Sequence, residues 1–393
     1  MASTLAVAQA WGSTRAFDEL FSNSAGLPLR RGDFFTNPAY ADTLEAIAAD
    51  WRSLYRDGIA EAIVAAVQAE PRPGTLTVQD IASYEARTLT PICVPYREWE
   101  LCGVPPPTSG GAGVLSTMGQ LANFDLAGAG PTVAGWHLFA EASQRAYADR
   151  DRYIGDDRFV EVPLAQMLDP AYLAARAAEI RFDRATPDEQ PGGFAGYPRA
   201  VYATDEASGT SHFSVVYTAG NVVAMTTTVE NAYGSRRVAG GFVLNNELTD
   251  FSREPVPPGE IVANSIEPGK RPRSSMAPIL VLDADGRARI ALGSPGGAAI
   301  IAYVSKTLVG LLDWGLGGDS AIALPNVVAR SGEVTIEDTA PSDVVGGLAA
   351  LGHDVAVSSR MTSGTQLIQI SPDGEVTGAA DPRREGTFAR SGG

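Results

Sequence analysis

Helical and strand patterns are segregated along this 393-residue chain, and that segregation constrains its fold more than any other feature. As far as about residue 180, apolar residues recur mainly at helical spacing; from Ser211 onward, short apolar and β-branched runs between glycine turns become common. No regular strand–helix alternation of the kind that builds a doubly wound sheet is present, so the pattern predicts a layered α+β fold. Between the halves, residues 182–209 hold Pro187, Pro191, Gly192, Gly193, Gly196 and Pro198 without periodicity, which reads as a linker or exposed loop.

Residues 1–35 read as irregular. Leu44, Ile47, Ala48, Trp51 and Leu54 mark a helix running to about Tyr55, with Asn37 as cap and Pro38 at the first helical position. A second helix, Ile59 to Ala69, stops at Pro71-Arg-Pro-Gly74, and Thr77 with Asp80 opens a short one. Longer helices are expected over about Ala112–Phe124 and Val133–Tyr153. Cys93 to Cys102 reads as a hairpin turning at Arg97-Glu98, in which opposed residue numbers add to 195 and the two cysteines face each other. Facing cysteines can form a disulfide or pack as two reduced thiols.

Later come a hairpin (Ser211–Val216 and Val222–Val229, turning at Ala219-Gly220) and a strand near Arg287–Leu292. A glycine turn at Gly293–Gly297 leads into an apolar helix from Ala298 to Leu312. The tail holds a helix near Ser342–Leu351 and strands near Val355 and Gln366–Ile370.

Composition narrows the function. The net charge of -16, without a basic cluster, argues against a nucleic-acid partner. No apolar stretch reaches the ~18 residues of a membrane span. The opening MASTLAVAQAWG lacks the basic and apolar regions of a signal peptide, so the compartment stays open. His137, His212 and His353 lie far apart in sequence and form no spaced metal motif, so no metal is expected.

The chemistry concentrates at Gly209-Thr210-Ser211-His212. By itself a threonine there is an ordinary turn residue. The hairpin changes that: opposed numbers add to 439, or to 438 with a loop one residue longer, which puts Val229 or Thr228 beside Thr210. A threonine hydroxyl is a weak nucleophile that needs a base. Cleavage of the Gly209–Thr210 bond creates an α-amine on the same residue, with a reference pKa of about 7.7–8.0, to serve as that base.

Glu247 and Asp250 sit three apart in Leu244-Asn-Asn-Glu-Leu-Thr-Asp-Phe251, so one helical turn or a tight loop could converge both carboxylates on a substrate ammonium; solvated surface acids are the ordinary alternative. Gly296 and Gly297 open a helix, where backbone N–H groups can hold an oxyanion. No serine-hydrolase elbow or phosphate-binding loop occurs.

Seven motifs occur in order: Pro105-Pro-Pro-Thr-Ser-Gly-Gly111, Ala146-Tyr-Ala-Asp-Arg150, Thr210-Ser-His-Phe-Ser-Val-Val216, Leu244 to Ser252, Arg271-Pro-Arg-Ser-Ser-Met276, Gly293-Ser-Pro-Gly-Gly297 and Asp381-Pro-Arg383. Together, from about Arg30 to the C-terminus, they resemble the gamma-glutamyltranspeptidase family. The resemblance implies the αββα sandwich of N-terminal-nucleophile hydrolases. It also implies self-cleavage into a large-subunit part, residues 1–209, and a small subunit, residues 210–393, which assemble together.

Thr210 would be the nucleophile and Thr228 its support. Glu247 and Asp250 would hold the α-amino group of a γ-glutamyl donor, Ser274 and Ser275 its α-carboxylate, and Gly296 and Gly297 the oxyanion. The donor would be glutathione-like and the acceptor water or an amino acid, with no cofactor required. A related glutaryl or cephalosporin acylase is the alternative, and a catalytically impaired, truncated member is another. Glu230 stands where many members carry a substrate-contacting asparagine, so a shifted donor preference is expected. The family's large subunit normally has a preceding segment with an arginine for the donor carboxylate. Nothing before Gly26 matches that segment, so the chain is expected to be N-terminally incomplete, with Arg271 or Arg273 the candidates to replace the arginine.

Overall fold

The computed structural model describes residues 14–30, 32–187, 189–197, 200, 209–253, 255–256 and 258–390. They divide into two compact units, Met1–Thr88 with Thr228–Glu247, and Leu89–Thr227 with Leu248–Gly393.

The smaller unit carries helices α1 (Arg15–Leu20), α2 (Pro38–Ala49), α3 (Asp57–Gln68) and α4 (Val78–Ala82). Helix α1 corrects the irregular reading of residues 1–35: Thr14 caps it, and its one buried apolar residue, Phe17, packs edge-on against Tyr233. Asn37 caps α2 as expected and also donates to the Gly241 carbonyl at 2.7 Å. That carbonyl belongs to a Gly240-Gly241 turn in which both residues have positive φ, linking Val238–Ala239 to Phe242–Val243. Helix α3 ends where the Pro-rich turn predicts. The Arg237 guanidinium donates to the carbonyls of Ala66, Ala69, Pro71 and Arg72, satisfying groups that a helix end leaves without partners.

The larger unit is built on a six-stranded antiparallel sheet. Its strands are β1 (Ile92–Tyr96), β2 (Trp99–Gly103), β5 (Ile279–Leu282), β6 (Ala288–Gly293), β10 (Gln366–Ile370) and β11 (Val376–Ala380), adjacent in that order. Cys93 faces Cys102 in the β1–β2 register and the two are joined in a disulfide, which settles the alternative left open by the sequence.

Helices α5 (Gly110–Leu121), α6 (Val133–Tyr153) and α8 (Ile300–Leu312) form a layer whose buried side chains, among them Val114, Leu115, Met118, Phe139, Ile301 and Val304, share one core with Leu101, Ile279 and Leu292 of the sheet. In a second sheet of β7 (Val327–Arg330), β8 (Glu333–Glu337) and β9 (Asp354–Ser358), β7 packs against α6 and α8. Helices α7 (Pro170–Ala178), α9 (Gly318–Ala323) and α10 (Ser342–Ala350) complete the unit.

Hairpin β3 (Thr210–Val216) and β4 (Val222–Thr228) lays β3 against β6 and β10. Tyr217 N–H donates to Asn221 at 2.9 Å, and His212 Nδ1 meets Thr226 Oγ1 at 2.8 Å. Both pairs add to 438, the second of the two registers expected. Within the expected linker, residues 201–208 lie outside the described residues. Its earlier part is irregular and largely exposed, as expected, but anchored at points: Thr186 donates to Glu141, and Gly192 donates to Asp149 and accepts from Tyr153, all three partners on α6.

Helix α6 carries Glu141, Arg145, Asp149, Arg150 and Asp151, all buried. A buried charge is tolerated when it is paired. Arg145 meets Glu141 at 2.9 Å and Glu189 at 3.1 Å, and Asp149 accepts from the Tyr172 hydroxyl at 2.6 Å. Its one-turn repeat therefore serves polar anchoring as well as the apolar core.

Candidate active site

Thr210 opens β3 and is buried, 6% exposed. Two residues on, the His212 ring is wedged between its own hairpin and the sheet. It contacts Thr226 and Ser214, and a Cβ added to Gly293 would fall 2.4 Å from its Nδ1. Only glycine lets β6 approach so closely. Burial pushes the His212 imidazole down to about 4, so it is neutral at ordinary pH.

Gly293 leads into Ser294-Pro295-Gly296-Gly297. Gly296 has φ +145°, with the Tyr303 ring where a Cβ would stand, and Gly297 also has positive φ. A 3-10 turn, Gly297–Ala299, precedes α8, so the backbone amides lie at a helix start as expected. The buried Ser294 hydroxyl accepts from Gly364 N–H at 3.2 Å, and the Tyr147 hydroxyl of α6 donates to the Ala298 carbonyl at 2.6 Å.

Glu247–Asp250 is one 3-10 turn, with Asp250 buried. Asn264 ties this turn to the serine loop. Its Nδ2 donates to the Asp250 carbonyl at 2.7 Å, its Oδ1 accepts from Arg273 N–H at 2.8 Å, and its own carbonyl accepts from Ser252 N–H at 2.9 Å. The structure thereby joins Asp250 to the Ser274–Ser275 segment.

Ser274 is half-buried and Ser275 buried. The Ser274 carbonyl accepts from the Ser109 amide and hydroxyl and from Thr108, both residues of the Pro105–Gly111 motif. Arg150 reaches the Ser275 hydroxyl at 2.5 Å.

Arg273 does not fit the clamp expected of it. Its guanidinium is fully buried, donating to the Arg150 carbonyl at 3.0 Å and meeting Asp151 at 3.2 Å. Arg271 is half-buried, and its backbone N–H donates to Asp156 at 2.8 Å.

The smaller unit holds Thr228, Glu230 and Glu247. Glu230 N–H donates to Thr228 Oγ1 at 2.8 Å, with φ +71° at Glu230, and its carboxylate accepts from Asn246. Asn245 Oδ1 accepts from Glu247 N–H, so the Asn245-Asn246 pair shapes the approach to the acidic turn.

Asn264, Asp151, Tyr147 and the His212–Gly293 contact were not assigned from sequence. Tyr147 and Arg150 stand in a quoted motif, but their partners Ala298 and Ser275 lie more than a hundred residues away. His137 and His353, distant in sequence, meet at 2.7 Å beside Glu141. Their touching ring nitrogens share a hydrogen bond, and Glu141 is engaged by Arg145 and Thr186.

A sheet with helices on one face and a threonine-led hairpin on the other defines the class. The same α+β fold occurs in the crystal structure of cephalosporin acylase from Bacillus halodurans, with TM-score 0.86 at 24% identity over all of this chain and 70% of that one. The family model described as Gamma-glutamyltranspeptidase matches residues 2–391, so the match begins well before Arg30. The chain belongs to the gamma-glutamyltranspeptidase family.

It is 37% identical to the glutathione hydrolase proenzyme of Escherichia coli over 371 residues, 91% of this chain and 62% of that protein. It is 33% identical to the Bacillus subtilis proenzyme of the same name over 389 residues, 95% of this chain and 64% of that protein. It is also 35% identical to the Acylase ACY 1 proenzyme of a Pseudomonas species, over 94% of this chain and 64% of that protein. The chain thus spans a little under two thirds of the length of these relatives.

Proposed function

We propose that the chain is the catalytic part of a gamma-glutamyl hydrolase or transferase that cleaves itself between Gly209 and Thr210. The freed Thr210 amine takes the proton of its own hydroxyl, and the oxygen attacks the γ-amide carbonyl. Gly296 and Gly297 N–H groups receive the developing oxyanion. The amine leaves with a proton, and water or an amino acid then releases the acyl group from Thr210. Thr228 supports the nucleophile, Glu247 and Asp250 take the donor ammonium, Glu230 tunes the donor choice, and Ser274 and Ser275 take the α-carboxylate.

The observation that carries this reading is the Asn264 clip, which ties the backbone of the turn holding the buried Asp250 to the backbone of the loop that carries Ser274 and Ser275. An acid with hydroxyl donors suits the two charges of an α-amino acid; an acyl group such as glutaryl has no ammonium for the acid to bind. The acylase relative keeps the second reading open, and the two separate on donors.

Asp250→Ala should lower kcat/KM roughly tenfold to a hundredfold on a γ-glutamyl anilide, because contacts to a charged group contribute about 1.5–3 kcal/mol. Its rate on a glutaryl anilide should hardly change, and Asp285→Ala, on the β5–β6 turn, should leave both as in the wild type. Wild-type preference for glutaryl, untouched by Asp250→Ala, would favour the acylase.

A further inference from the structure

The Arg150 guanidinium is fully buried, and its donors reach Ser109, Asp151 and Ser275. Nε donates to Ser109 Oγ at 2.8 Å, Nη1 to Asp151 at 2.6 Å, and Nη2 to Ser275 Oγ at 2.5 Å. A serine hydroxyl has one proton to give and two lone pairs to receive with. Once a guanidinium donates to the oxygen, the serine's proton points elsewhere, and polarisation by the cation makes it a better donor.

Ser109 shows the outcome. It accepts from Arg150 and passes its own proton to the Ser274 carbonyl at 2.7 Å. Ser275 is set the same way, but among the described residues its hydroxyl has no acceptor. The neighbouring Ser274 hydroxyl likewise accepts, from Met276 N–H at 3.3 Å.

We propose that Arg150 is a positioning residue that holds Ser275 as a one-way donor and thereby selects donors with a free α-carboxylate. The proposal rests on the γ-glutamyl reading above. It places a cation behind Ser275, acting through that hydroxyl and not as the direct carboxylate clamp for which Arg271 and Arg273 were the candidates.

The test compares a γ-glutamyl anilide with its α-carboxamide analogue on the self-cleaved enzyme. Arg150→Lys keeps the charge but loses the fork that serves two hydroxyls at once. It should raise KM for the carboxylate donor roughly tenfold or more, with kcat and the carboxamide KM nearly unchanged. Ser275→Ala should give the same pattern, and the double variant should be no worse than the poorer single one.

Equal losses on both donors would reduce Arg150 to a structural role and overturn the proposal. If Arg150→Lys does not fold, Ser109→Ala decides. It loosens the guanidinium and should weaken the carboxylate donor alone; no discrimination there overturns the proposal. If the wild type turns over no γ-glutamyl donor, the functional reading fails separately. Calorimetric binding of free glutamate against its α-amide, in wild type and Arg150→Lys, then tests Arg150 alone: weaker glutamate binding in the variant supports the role, and unchanged binding overturns it.

Discussion

The two loops that carry the serine pair and the glycine pair are held by opposite means. Residues 271–276 are fixed by charge and hydrogen bonds: Arg150 and Asn264 grip them, Arg273 anchors on Asp151, and Asp151 also meets Arg330 at 3.3 Å. Residues 293–297 are fixed by shape, with the His212 ring on Gly293 and the Tyr303 ring on Gly296. Both hang from one face of α6, where Tyr147 and Arg150 stand three residues apart. A loop held by charge should survive changes of volume and fail when a partner loses its charge. A loop held by shape should do the reverse.

The largest effect is expected at Asp151. Burial alone would raise its pKa, but Arg150, Arg273 and Arg330 outweigh that and keep it below the usual carboxylate range. Asp151→Asn leaves buried guanidinium groups without their counter-charge, which costs about 3–5 kcal/mol. The melting temperature should fall by on the order of 10 °C. A calorimetric Tm within a degree or two of wild type would show that charge does not hold this loop.

Gly293→Ala comes next. The added Cβ must displace the His212 ring, and overpacking of this kind costs about 1–3 kcal/mol. Self-cleavage, followed by gel, should slow with it. Gly286→Ala is the matched control on an open turn with φ +74° and nothing within 4 Å of the new Cβ; it should lose only about 1 kcal/mol of backbone strain and leave cleavage intact. Equal behaviour of the two glycines would dissolve the distinction drawn here.

The effect that is smallest at neutral pH, and grows only in acid, is a pH dependence. Burial lowers both His212 and His353 from an ordinary 6.5 to about 4, His353 with help from the neighbouring His137. The unfolded chain then binds more protons between those values than the folded one. Stability should be full above about 6.5 and decline as pH falls towards 4. Replacing His212 with Asn should flatten part of that decline in a urea-midpoint series from pH 7 to 4.

Sequence reached the parts of this structure that depend on neighbours along the chain. The two hairpin registers followed from turn position, and α6 and β10 match their expected limits. Strands Ile279–Leu282, Val327–Arg330, Glu333–Glu337 and Val376–Ala380 were missed because four or five residues leave little periodicity to read, although Asp285-Gly286, Ser331-Gly332 and Asp373-Gly374 mark turns beside them. Helix α7 offered a signal that was passed over, Asp169 capping a helix with Pro170 at its first position. For the candidate site, motifs singled out the serines, glycines and acids. Their supports stayed hidden because each is a contact between distant segments, such as Arg150 with Ser275 or His212 with Gly293.

Everything proposed for Thr210 requires it to become a chain terminus, so the most direct measurement is the N-terminal sequence of the purified protein's smaller piece. The account predicts Thr-Ser-His-Phe, with Thr210→Ala remaining one intact, inactive chain. An uncleaved Thr210→Ala protein that still turns over its substrate would contradict it.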